Sequence, residues 1–331
     1  MNEPRSNFGV VLEALLEGSR ELPDAYLNEF SDIEPDTLAS LLEAWPRIAL
    51  SRKQALLDRL NALVDVDTLV SFDDLGRALL KDPEASVRVR AMRLLAECND
   101  ARLIPVFLDI LTADEEVSAR AEAATALGLF VQLGEFDDIP EQAQRQVEEA
   151  LLGVLGREDE VVVQRRALES LGYSSRPEVS VLIESAIKRQ DPDWKGSALF
   201  AMGRSGDEKW QEYVLQMIPS VYDNMRLAAV GAAGELKLKA ALPLLLKLLE
   251  EEDNDAVAGS AIWSLSQIGG EDARIYLENL LDLAEEEDQI AFLEEALDNL
   301  AFTDDMERFD LLALDADDTL DVINEMDDPD G

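Results

Sequence analysis

The sequence predicts an all-α chain, a solenoid of stacked helical pairs, and three observations carry that prediction. A motif recurs in which a small residue is followed, four positions on, by an apolar residue and then another small one. Its leading alanines are Ala91, Ala123, Ala167, Ala198, Ala229, Ala261 and Ala296, separated by 32, 44, 31, 31, 32 and 35 residues. A repeat of that size marks architectures in which each unit cannot bury its own apolar face and must stack on the next. Each period also holds two segments with helical apolar spacing. Finally, 47% hydrophobic residues supply a large core despite a formal charge of −42.

Taken in order, residues 8–17, 24–30, 36–45 and 51–64 read as helices, with Pro23, Pro35 and Pro46 at their boundaries. The last two form a divergent repeat. The first two form a cap over the open apolar end of the stack, which terminal units must cover. Inside the array, segments such as 103–111 (LIPVFLDIL) and 241–249 (ALPLLLKLL) are first helices with a broad apolar face. Pro105 and Pro243 sit near their starts, where a missing N–H costs little. Acidic turns follow at 82–84, 114–116, 191–193 and 253–255, and their side chains are expected to accept the free amides of the next helix. That second helix carries the aligned alanine and ends at or near glycine, so that neighbouring helices approach closely.

The stretches DPEASVRVRAMRLLAE (82–97), VVVQRRALESLG (161–172) and DPDWKGSALFAMG (191–203) resemble the HEAT-repeat family, including its bacterial bilin-lyase-like branch. The resemblance covers about 68–302. It implies a right-handed superhelix of the armadillo type, with 1–67 as divergent first repeat and cap, and 303–331 as an acidic C-terminal tail. The family's half-buried cation, three residues before the alanine, is matched by Arg88, Arg120, Lys195 and Arg226. Gln164, Ala258 and Leu293 replace it elsewhere. That position lies about 60° around the helix from the alanine, at the edge of the buried face. These cations are therefore expected to form a structural ladder to turn carboxylates or carbonyls, and the last repeats to stack by apolar contact.

The 44-residue interval holds an insertion around 130–141, read either as a partner-contacting surface loop or as a helix extension with a longer turn. From Leu248 to Gly331 there are 28 acidic and two basic residues. The tail mixes these acids with apolar residues such as Phe309, Leu312 and Leu320. Such segments serve as solvated tails, dock as a short helix, or order on a partner.

Composition excludes much chemistry. There is no histidine, so a histidine base, a catalytic triad and a histidine-ligated metal are ruled out, and with them the dinuclear iron hydroxylase activity found among HEAT proteins. One cysteine, Cys98, allows no intrachain disulfide, and acidic neighbours disfavour its thiolate. No phosphate-binding glycine loop is present, and the acidic runs 250–253 and 285–288 lack the spacing and glycine of a calcium loop. No catalytic residue, cofactor or metal is expected. The polyanionic charge opposes direct nucleic-acid binding. No apolar run is long enough for a membrane span, and the first apolar stretch lacks a basic leader, so the default expectation is a cytoplasmic protein.

The solvent-facing side of the second helices remains as the candidate surface. Positions one before and two after the aligned alanine hold Arg90 and Arg93, Arg166 and Glu169, Ser197 and Phe200, Ala228 and Gly231, then Ser260 and Trp263. Two aromatics over small residues form a candidate hot-spot groove, with Ser197, Phe200, Gly231, Ser260 and Trp263 as its centre and Arg90, Arg93 and Arg166 along its extension. The opposing reading tucks both aromatics against neighbouring helices. The expected function is a non-catalytic scaffold, chaperone or adaptor for a basic protein, with the acidic C-terminal quarter steering its approach. Alternatives are a bilin-lyase-like subunit acting on a tetrapyrrole and an acidic mimic of nucleic acid.

Overall fold

The computed structural model describes residues 8–17, 22–64, 66–157 and 159–326, with side chains through Met306. The described residues contain helices and turns and no strand. Two compact units divide the chain, Met1–Ser175 and Arg176–Gly331, so the division falls inside the repeat array. No helix among the described residues is long and apolar enough to cross a membrane.

In the first unit, α1 (Phe8–Glu17) packs on α2 (Pro35–Ala44), and the ring of Phe8 meets Phe30 of an intervening 3-10 turn edge-on at 5.4 Å. The array proper begins at α3 (Leu50–Val64). It continues as the pairs α4 (Asp73–Leu79) with α5 (Ala85–Arg93), α6 (Ile104–Ala113) with α7 (Val117–Glu135), and α8 (Glu141–Gly156) with α9 (Val161–Leu171). The second helices stack in the order α3, α5, α7, α9. The insertion proves to be a lengthened α7, and its turn to α8 spans only a few residues. It is a helix extension, not a loop.

The second unit repeats the scheme. Its pairs are α10 (Pro177–Ile187) with α11 (Pro192–Arg204), α12 (Gln211–Met217) with α13 (Asp223–Glu235), α14 (Leu242–Leu249) with α15 (Asp255–Ile268), and α16 (Glu271–Leu283) with α17 (Glu287–Met326). Here α11, α13, α15 and α17 stack on one another. The seven aligned alanines, Ala91 to Ala296, have no exposed surface. Their small side chains are what let successive second helices close up.

The backbone of α17 runs through position 303 without a break. Thr303 is buried, and Asp304 accepts hydrogen bonds from Gly270 N at 2.9 Å and Arg274 Nη2 at 2.6 Å. The packed part of the chain thus extends at least that far. The side chains of the apolar tail residues from Phe309 onward lie outside the described ones.

Glycine acts in this array mainly by taking no space. Gly203 lies within α11, and a Cβ there would sit 2.8 Å from Ala232 Cα of α13. Conformational freedom matters at Gly269, whose φ of +71° ends α15.

Candidate functional site

The acidic turns set the register of the second helices. Asp82, Asp114 and Asp191 each accept the amide two residues on, from Glu84, Glu116 and Asp193, at 2.9 Å. Asn254 accepts from both Ala256 and Val257. Three turn carboxylates, Asp114, Asp159 and Glu252, receive a cation from the preceding second helix. Arg88 grips Asp114 with two bonds, at 2.8 and 2.7 Å, and also donates to the carbonyls of Asp82 and Pro83. Arg120 bonds Asp159 at 2.9 Å and the carbonyls of Asp114 and Glu115. Arg226 bonds Glu252 at 2.5 and 2.9 Å, Asp223 at 3.0 Å and Ser220 O at 2.8 Å. The Arg226 hydrogen bond holds the Glu252 carboxyl below its ordinary range. At Asp159 burial pushes upward, but the bonds from Arg120 and Glu160 N outweigh it and lower the carboxyl.

Lys195 differs from these three. The turn residue at the corresponding place two before α13's capping Tyr222 is Ser220, which accepts Tyr222 N as an aspartate would but offers no charge. Lys195 therefore lacks the turn carboxylate that Arg88 and Arg226 bind. Gln164 donates to Arg157 O at 3.0 Å, and Leu293 is buried. At the N-terminal end, buried Asp82 serves a variant of the same joint: it accepts Trp45 Nε1 at 2.7 Å and lies 3.8 Å from Lys53 Nζ.

The residues of the candidate groove divide between the two units. In the first, Arg90 reaches from α5 to Asp58 of α3 at 2.7 and 3.1 Å, and Arg93 reaches to Glu122 of α7 at 3.0 Å. Arg166 pairs with Glu169, itself buried, at 2.5 Å along α9. These cations are engaged with carboxylates of their own chain.

In the second unit, Phe200 is 36% exposed, and the Arg204 guanidinium lies over its ring at 4.1 Å. Glu235, from the equivalent turn of α13, lays its carboxyl over Gly203 next to that cation; burial pushes this carboxyl up while Arg204 opposes the shift. Gly231 and Ser260 are half-buried neighbours, the Cβ position of the glycine being 3.8 Å from the serine oxygen. Trp263 is half-buried because it stacks on Phe292 of α17, with centroids 6.5 Å apart and planes 26° from parallel. Ser197 does not face solvent as its helical position suggests; it is only 2% exposed.

Several contributors escaped sequence reading. Phe292 lies four residues before Ala296, a position that is core in the other repeats. Ser170 and Ser264, three residues after their alanines, donate to Ala124 O and Val230 O at 2.8 and 2.9 Å. Each carbonyl lies one residue past the alanine of the preceding second helix, so the bond is a recurring cross-tie, and the shared offset was its only signal. The Cys98 thiol is raised chiefly by burial and then by Asp73, with Arg77 Nη2 3.0 Å away opposing. Burial and Asp73, not the chain neighbours, therefore suppress its thiolate.

No curated protein matches the chain. Among solved structures, it is similar to YibA of Escherichia coli, at 14% identity over 91% of this chain and 98% of that one, with a TM-score of 0.37. It is also similar to the complex of CpcE and CpcF of phycocyanin lyase from Nostoc sp. PCC7120, at 19% identity, 69% and 94% coverage and a TM-score of 0.43. A third likeness is to human deoxyhypusine hydroxylase, at 18% identity, 90% and 100% coverage and a TM-score of 0.37. The family model for HEAT repeats matches residues 72–151 and 212–298, which together make up just over half of the chain. With the paired helices, buried alanines and arginine-bound turns described above, the conclusion is that this chain belongs to the HEAT-repeat family.

Proposed function

We propose that this chain is a non-catalytic scaffold or adaptor that binds a protein with a basic surface. The observation that carries the reading is where the cations are spent. With 71 acidic against 29 basic residues, the arginines at Arg88, Arg90, Arg93, Arg120, Arg166 and Arg226 are all committed to carboxylates of the chain itself. What faces outward is then dominated by unpaired carboxylate charge, which accelerates encounter with a basic surface and disfavours an acidic one. Phe200 and Trp263, with Gly231 and Ser260 between them, supply the apolar part of the contact on the face of α11, α13 and α15. Each aromatic is worth about 2 kcal/mol or more if it is a true hot spot.

Affinity capture at low and high salt, followed by binding kinetics on the recovered protein, tests this. Removing the chain beyond Met306, which spares Thr303 and Asp304, should slow association and flatten its salt dependence with little change in dissociation. The double change Phe200→Ala with Trp263→Ala should speed dissociation at every salt concentration. A folded double variant with full affinity would sink the groove, and an acidic partner would sink the electrostatic reading.

A further inference from the structure

The second unit holds a cleft of about 860 Å³ away from the aromatics of the second-helix face, between two successive turns of the array. One wall is Ile218, Pro219 and Ser220, the chain leaving α12; the other is Leu244, Lys247 and Leu248 of α14. The seven residues of α12 end at Met217, while Leu244 and Leu248, one turn apart on the apolar α14, remain only half-buried. Beside the cleft the connecting turn carries Val221 at 86% exposure and Tyr222 at 53%, in the very turn whose carboxylate is replaced by Ser220.

The polar lining is asymmetric. Arg226 stands in the cleft with its charge taken up by Glu252 and Asp223. That leaves Glu251 and Asp253, both exposed, against the single exposed Lys247. An apolar floor bounded by surplus carboxylates complements one kind of ligand, an apolar side chain flanked by cations.

We infer that this cleft between the α12–α13 turn and α14 is a second docking site, which takes a short segment of a basic protein by seating an apolar side chain on Pro219, Leu244 and Leu248 while a neighbouring lysine or arginine meets Glu251 and Asp253. The inference rests on the basic-partner reading for the ligand's charge, but it names a different surface.

The test is fluorescence anisotropy of a labelled peptide of alternating Lys-Leu-Arg triplets against the full chain. Saturable binding is expected. The change Glu251→Lys with Asp253→Lys, both on exposed positions, should weaken it about tenfold or more at low salt. Leu248→Gln should weaken it about fivefold or more without altering the salt slope, with circular dichroism confirming the helix content. Replacing the peptide's leucines by serine should abolish saturation. Phe200→Ala with Trp263→Ala should leave the peptide affinity unchanged, which separates this site from the groove. Absence of binding to the unaltered chain, equal binding of the serine peptide, indifference to the charge reversal, or loss in the aromatic double variant would each overturn the inference. Loss in the aromatic variant would do so while leaving the proposed function standing.

Discussion

Along α3, α5 and α7 the second helices are joined by long polar side chains, whereas along α11 and α13 small residues let them close on each other. In the first set Arg90 binds Asp58, Arg93 binds Glu122, and Gln54 donates to Ser86 Oγ at 2.8 Å. In the second set Gly203 lets α13 come close to α11. The same helix positions therefore serve either as electrostatic links or as bare, close-packed surface. Long side chains neutralise the face they span. In the second set the corresponding ties are shorter and sit at the helix starts, Asn224 donating to Asp193 at 2.8 Å and Asn254 to Asp223 at 3.0 Å, and Phe200, Gly231 and Trp263 lie beyond them. The contrast teaches that packing distance and surface chemistry are set together, because a residue small enough to let a neighbour in is also too short to bridge to it.

The comparison can be broken most severely at a buried link. Asp114→Ala would strand Arg88, whose guanidinium is largely buried, and should cost about 3–5 kcal/mol in denaturant unfolding. Replacing the pair together, Arg88→Met with Asp114→Leu, should recover much of that loss. Next comes the close-packed set. Ala229→Leu should overpack α13 against α11 and α15 and cost about 1–3 kcal/mol. Hydrogen exchange should then show the damage concentrated in those neighbours, since repeat arrays transmit strain mainly to adjacent units. An unchanged unfolding midpoint would contradict the role assigned to the alanine.

Acid titration sharpens the contrast further. Asp159 and Glu252 have folded values held below the ordinary carboxylate range. Their stabilising contribution is complete above their unfolded values, near pH 4, and is lost as pH falls through the lowered folded values. Stability should therefore decline below about pH 4, and Arg120→Met and Arg226→Met should each flatten that decline. The smallest effect belongs to an exposed link: Arg93→Ala should cost less than about 1 kcal/mol, less still at high salt, because more than half of the arginine is solvent-exposed.

Much of the fold is legible in the sequence. The alanine spacing locates each second helix, since the helical period and the need for close approach act locally and repeat. The lengthened α7 was legible as an interval but not as a helix, because 44 residues fit either a loop or an extension until packing chooses. At the site, residue types along α11, α13 and α15 placed Phe200, Gly231, Ser260 and Trp263 on one face, yet helical angle alone misplaced Ser197. Exposure depends on how near the next helix comes, and no single helix's periodicity contains that distance.

What the amino-acid order determined by itself is the helix content, the period, the absence of histidine chemistry and the charge, all of them properties of residues and their neighbours in sequence. Tertiary structure alone decided which charges remain available and which gaps stay open. Arg90 and Arg93 read as free cations until Asp58 and Glu122 arrive from adjacent helices. Trp263 reads as bare until Phe292 stacks on it. The cleft beside Leu244 and Leu248 opens only where the turn after α12 faces α14 of the following repeat. Each of these outcomes joins residues about thirty positions apart, and only the stacking distance of one repeat on the next brings them within reach.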